Sequence, residues 1–120
     1  MTLEEFEDEV DEALESLPDD IAAMMDNIDV VVEDHPTREQ MARAGLPRGS
    51  LLLGLYTGVP LGRRGQYYGG VVPDRVIIFK RNIEKVYDRE HLHHGIRSTV
   101  LHEIGHHFGL SDARLRELGY

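Results

Sequence analysis

His102-Glu103-Ile104-Gly105-His106-His107-Phe108-Gly109-Leu110-Ser111-Asp112 is the segment around which the rest of the chain is read. On a helix, residues four apart lie about one turn apart on one face, so His102 and His106 project together and can share a metal ion. Glu103 lies beside that face, too far round to replace a histidine but close enough to take a proton from water on the metal. Gly109 offers the left-handed backbone that ends the helix and turns the chain back, which brings Asp112 in as a third ligand. Two imidazoles and one carboxylate leave the fourth position of a tetrahedral ion open to water, as catalysis requires and a structural site does not. The expected cofactor is one zinc ion, and the implied chemistry is hydrolysis of a peptide or amide carbonyl, with Glu103 as general base and then proton donor to the leaving amine.

With seven histidines in 120 residues, HExxH arises by chance in roughly one such chain in twenty-five, and with the added Gly and Asp in about one in three thousand. The metal-free alternatives are an exposed histidine pair, a solvated Glu103, and an Asp112 that only caps a helix or sits on the surface. Ser111 beside Asp112 already explains a helix start.

Working outward, the pattern is helical from about Asp88 or Arg89, with Ile96, Val100, Leu101, Ile104 and Phe108 as the apolar set ending at Gly109. Ser111 then caps a short last helix through Leu115 and Leu118. At the other end, Thr2 and Glu5 make a capping box, and Leu3, Phe6, Val10, Leu14 and Leu17 recur at helical spacing until Pro18. Asp19 or Asp20 is expected to cap a short helix through Ile21 to Met25. Ile28 to Glu33 is a β-branched strand, and Thr37 with Gln40 opens a two-turn helix stopped by Gly45. Further strands are expected at Leu51 to Thr57 and at Arg75 to Lys80, with a glycine-rich loop between them. The result is an α+β fold, a small mixed sheet of three or four strands packed with helices. Strand 75 to 80 is expected at the sheet edge beside the metal, where an extended substrate could add as another strand.

A chain of 13.6 kDa is expected to form one domain, residues 1–120, burying about two-thirds of the surface exposed when unfolded. It has no cysteine, which excludes disulfides, thiol nucleophiles and zinc–cysteine clusters. The run from Gly49 to Gly62 is uncharged but broken by glycine and proline, so no membrane span is expected. The acidic Met-Thr-Leu-Glu-Glu start lacks the charge of a secretory signal, and a cytoplasmic protein is expected. Net charge is −9, distributed unevenly: residues 1–34 hold 14 acidic and no basic side chains, the remainder 8 acidic against 13 basic. This argues against a nucleic-acid partner. The acidic segment is either a solvated helix face or an arm that docks on a basic surface.

The sequence resembles the zincins, and among them a family of short bacterial zincin-like metallopeptidases with a minimal metalloprotease fold. The residues carrying the likeness are the acidic first helix, the Val-rich strand, Leu-Leu-Gly-Leu-Tyr-Thr-Gly-Val-Pro-Leu at 52–61, Tyr-Gly-Gly-Val-Val-Pro-Asp-Arg at 68–75, and the motif at 102–112. The resemblance implies a zincin-like active-site helix, zinc ligation by His102, His106 and Asp112, and a catalytic role for Glu103. HExxHxxGxxD is also similar to the metzincin form, but those enzymes carry a methionine turn after the third ligand. Here Met1, Met24, Met25 and Met41 all lie upstream, which excludes a full metzincin fold.

Other candidates read more plainly. His94 lies two turns from His102, about 12 Å along a helix axis, so His91, His93 and His94 are expected to be solvated. His107 points away from the ligand pair and is expected to pack or hydrogen-bond. In the loop Gly62 to Gly70, Arg63 and Arg64 could meet a peptide carboxylate, with Tyr67 or Tyr68 donating to an oxyanion; the alternative is a plain connection between strands. Tyr56 and Tyr87 are expected to pack. A peptide or protein substrate is therefore expected, with no membrane partner. The alternative is a catalytically silent metal-binding or protein-interaction module; a metal-dependent nuclease is disfavoured by charge.

Overall fold

The computed structural model describes residues 1–47, 49–58 and 74–120. Among them lie helices α1 (Leu3–Glu15), α2 (Asp19–Met24), α3 (Arg38–Ala44), α4 (Lys80–Val86), α5 (Leu92–Phe108) and α6 (Asp112–Glu117). The strands are β1 (Ile28–Glu33), β2 (Gly54–Thr57) and β3 (Asp74–Phe79). The sheet is mixed, in the order β1-β3-β2, with β1 parallel and β2 antiparallel to β3. No described helix is long and apolar enough to cross a membrane.

The alternation of β3 divides the core between two faces. Val76 and Ile78 pack with Phe6, Val10 and Ala13 of α1 and with Ile96, Val100, Leu101 and Ile104 of α5. Ile77 and Phe79 point the other way, against Leu52 and Leu55, with Met41 and Ala44 of α3 beside them. The acidic first helix is thus built into the core along one stripe, while its carboxylates lie on the outer side.

Two local signals hold in detail and two hold only in part. Thr37 accepts from the Gln40 backbone amide at 3.1 Å, while the Gln40 side chain accepts from that of Thr37 at 2.8 Å. Ser111 accepts from the Arg114 amide at 3.0 Å to start α6. The box at Thr2 is only half formed: its hydroxyl accepts from the Glu5 amide and donates to the Glu5 carboxylate, so the Glu5 side chain meets a hydroxyl and not a backbone amide. Helix α2 starts after Pro18 without a side-chain cap, which puts Asp19 and Asp20 in its first turn, where the helix dipole favours acids.

Three expectations are corrected. First, β3 lies between β1 and β2 and is not an edge strand, because it pairs on both sides; among the described residues β2 ends the sheet. Second, β2 begins only at Gly54: the Leu52 carbonyl accepts from the buried Asn82 side chain at 2.9 Å instead of joining a strand ladder. Third, Lys80 does not extend β3. It opens α4, a helix that carries no capping side chain and went unread in the sequence; its ammonium is buried against Glu84, four residues on, at 2.9 Å.

Candidate active-site cleft

Helix α5 runs unbroken through the motif and stops at Gly109, whose φ of 72° and ψ of 33° form the left-handed cap expected there. The buried set Ile96, Val100, Leu101 and Ile104 anchors one side of the helix, so the opposite side carries His102, Glu103 and His106 into a cavity of about 620 Å³. The two histidines are exposed at its mouth and Glu103 is half-buried. The cavity is closed on the other side by β2 and by the chain leading into it.

The approach of α5 to β2 depends on Gly54. A Cβ at this position would stand 2.6 Å from Thr99 Cγ2 and 3.1 Å from the Ile77 carbonyl oxygen, so only glycine lets the helix come this close. One consequence is that the Tyr56 backbone N–H donates to Glu103 Oε2 at 3.3 Å. Burial pushes the Glu103 carboxyl above the usual carboxylate range, against the Tyr56 N–H and the neighbouring His106 and His102, which pull it down. A half-buried carboxylate with raised basicity, held in place by a backbone amide, is suited to taking up a proton.

Tyr56 joins the site to the sheet at two further points. Its hydroxyl donates to Asp74 Oδ2 at 2.5 Å, and its ring stacks on His107 with centroids 4.0 Å apart and planes at 15°. His107 therefore packs, as expected, and keeps the end of α5 against β2. Phe108, expected in the core, is instead 45% exposed and meets the Tyr56 ring edge-on at 6.4 Å. It falls at the last residue of α5, beyond the reach of the buried stripe. Tyr87 packs as expected, its ring lying over Gly95.

The expected triad is brought together only in part. His102 and His106 line the same cavity as Glu103, whereas Asp112 is exposed, opens α6 and does not line it. Among the described residues, the one group of three His, Asp or Glu donors within 4.8 Å of one another is Glu9, Glu12 and His93. The expectation of solvated histidines is accordingly corrected at His93, which bridges α5 to α1 by pairing with Glu9, and with Glu12 at 3.4 Å. His94 is exposed as expected, its ring stacked on Tyr120 at 4.7 Å. His91 is exposed and pairs locally with Asp88 at 2.6 Å. Arg63, Arg64, Tyr67 and Tyr68 lie outside the described residues. In kind, the donors of the motif suit zinc: two imidazoles four residues apart, a carboxylate after a tight turn, and no thiolate.

An α+β protein with HExxH on a helix, its glutamate half-buried in a cleft between that helix and β2, has a zincin-like layout. A family model for zincin-like metallopeptidases matches residues 25–120, and the chain belongs to that family. A conserved hypothetical protein from T. thermophilus is similar in fold, with a TM-score of 0.56 over 90% of this chain and 94% of that one, at 23% identity. A comparison with curated proteins finds no match.

Proposed function

We propose that the chain is a zinc-dependent metallopeptidase-like hydrolase acting on peptide or protein substrates, with His102, His106 and Asp112 as the residues that would hold one zinc ion. The observation that carries this reading is that His102, Glu103 and His106 share one cavity, with the Glu103 carboxylate fixed by the Tyr56 amide. When bound, zinc supplies Lewis acidity toward a water and a carbonyl oxygen. Glu103 accepts the proton of the attacking water and returns it to the departing amine. Tyr56 keeps that carboxylate beside the two histidines through each transfer. An extended substrate adds along β2, the strand that ends the sheet among the described residues, since β3 is paired on both sides.

Replacing Glu103 by Gln keeps size and helix propensity while removing the base, so zinc should remain and hydrolysis should fall by about two to four orders of magnitude. Replacing His102 or His106 by Ala should remove the zinc itself, as read by elemental analysis. Turnover at the parent rate in Glu103→Gln sinks the mechanism, and full zinc occupancy in both histidine variants sinks the site. The position of Asp112 outside the cavity lining favours the second reading, a catalytically silent metal-binding or interaction module. That reading prevails if a broad peptide screen yields no cleavage and Glu103→Gln changes neither zinc affinity nor partner binding.

A further inference from the structure

The cavity extends past the motif. Along α5 it runs from His106 back to Ser98, about 12 Å at 1.5 Å per residue. Opposite the helix, part of its wall comes from the connection between α3 and β2. There the Ser50 amide donates to the Pro47 carbonyl at 3.1 Å, and Leu46 and Leu51 line the same cavity. Both are large apolar side chains left 41% and 45% exposed, and neither belongs to either core cluster. A single exposed leucine means little, but two in the wall of one concavity beside chemically capable groups form a surface suited to an apolar ligand group. Arg43 lines the same cavity, but its guanidinium pairs with Glu39 at 3.3 Å, so the character of this wall rests on the two leucines.

We propose that Leu46 and Leu51 form a side-chain subsite of this cleft, and that its substrates are peptides carrying a leucine-sized apolar residue beside the bond to be cut. The proposal rests on the hydrolase reading given above. It assigns the two leucines to specificity and leaves proton transfer and metal ligation to the motif helix. Because both side chains lie outside the core clusters, they can be changed without removing a core contact.

The test measures binding of four probes to the zinc-loaded protein by calorimetry: acetohydroxamate, and the hydroxamates of N-acetyl-leucine, N-acetyl-alanine and Nα-acetyl-lysine. The hydroxamate group chelates zinc in every case, so the side chain is the variable. The leucine probe should bind about ten- to a hundred-fold more tightly than the alanine probe, and more tightly than the lysine probe, whose ammonium loses water against the apolar wall. In Leu46→Ser and Leu51→Ser the leucine-to-alanine ratio should fall toward one at an unchanged melting temperature. Val86→Ser, a 50% exposed apolar position outside the cavity, should keep the ratio. Equal affinity for the leucine and alanine probes overturns the subsite, as does a ratio that survives both leucine substitutions. Acetohydroxamate binding the parent no better than it binds His106→Ala instead refutes the metal centre, and the subsite falls with it.

Discussion

Gly54→Ala tests whether the close approach of α5 to β2 is what positions the site. The backbone there is accessible to alanine, since its φ is not in the left-handed region; the obstacle is the added methyl, 2.6 Å from Thr99 Cγ2 and 3.1 Å from the Ile77 carbonyl oxygen. Thr99 is buried and its hydroxyl donates to the Gly95 carbonyl at 2.8 Å, so it cannot swing aside freely. Overpacking of this kind costs about 1 to 3 kcal/mol, offset by about 0.4 to 1 kcal/mol because alanine has less freedom than glycine when unfolded. A net loss of about 1 to 2 kcal/mol, with an unfolding entropy of about 2.1 cal/mol/K per residue, lowers the midpoint by roughly 4 to 8 °C.

Thr99→Ser supplies the internal control. It deletes only the obstructing methyl and keeps the hydroxyl, at a cost of about 1 kcal/mol for the space left behind. In the double variant the alanine methyl enters that space, leaving the Ile77 carbonyl contact to relax by a few tenths of an ångström. The two substitutions should then be less harmful together than their separate effects predict, by about 1 to 2 kcal/mol, measured by urea melts at constant m-value. Additivity within about 0.5 kcal/mol would refute the claim that Thr99 and Gly54 are in contact through this interface. The chemical consequence is a second readout: Gly54→Ala alone should weaken the Tyr56 N–H bond to Glu103 and expose that amide to hydrogen exchange, and the double variant should restore its protection.

Phe6 is fully buried between α1 and α5, so Phe6→Ala should cost about 3 to 5 kcal/mol, and deletion of residues 1–17 should abolish a cooperative melt; an intact melt would show that the acidic helix is an appendage. Gly109→Ala places a Cβ on a φ of 72° with no steric neighbour within 4 Å, so the penalty is conformational, about 1 kcal/mol, and zinc affinity should fall if the turn delivers Asp112; unchanged affinity argues against Asp112 as a ligand. The raised proton affinity of Glu103 in the folded chain has a definite sign. Folding is most favoured below the ordinary value of 4.5, where the group is protonated in both states, and this benefit is lost as pH rises through the higher folded value. Metal-free Glu103→Gln should therefore melt above the parent at pH 7 and not at pH 4, and an equal difference at both values contradicts burial as the cause.

The motif could be located from sequence because its logic is local. Histidines four apart on one face, Gly109 at a left-handed cap and Ser111 at a helix start depend on residues a few positions away, and each is found where spacing and chemistry place it. The place of β3 in the sheet could not be read the same way. Its run of Val76, Ile77 and Ile78 says that both faces are buried, but edge or centre depends on which strands pair with it across the fold. Helix α4 escaped because its N-cap, Phe79, makes no side-chain cap hydrogen bond, and the half-turn from strand to helix is secured by Asn82 reaching Leu52, thirty residues back.

The same division runs through the site. Glu103 is identifiable by its position after His102, yet what suits it to act as a base, its burial and its bond to Tyr56 forty-seven residues away, belongs to the packing of α5 on β2. Gly54 was the available sign of that packing, a glycine inside a strand pattern, which marks close approach of another backbone or helix. The reactive carboxylate and the glycine that admits the helix therefore form one functional unit across distant parts of the chain. A substitution at Gly54 should impair proton transfer while leaving every residue of the HExxH motif in place.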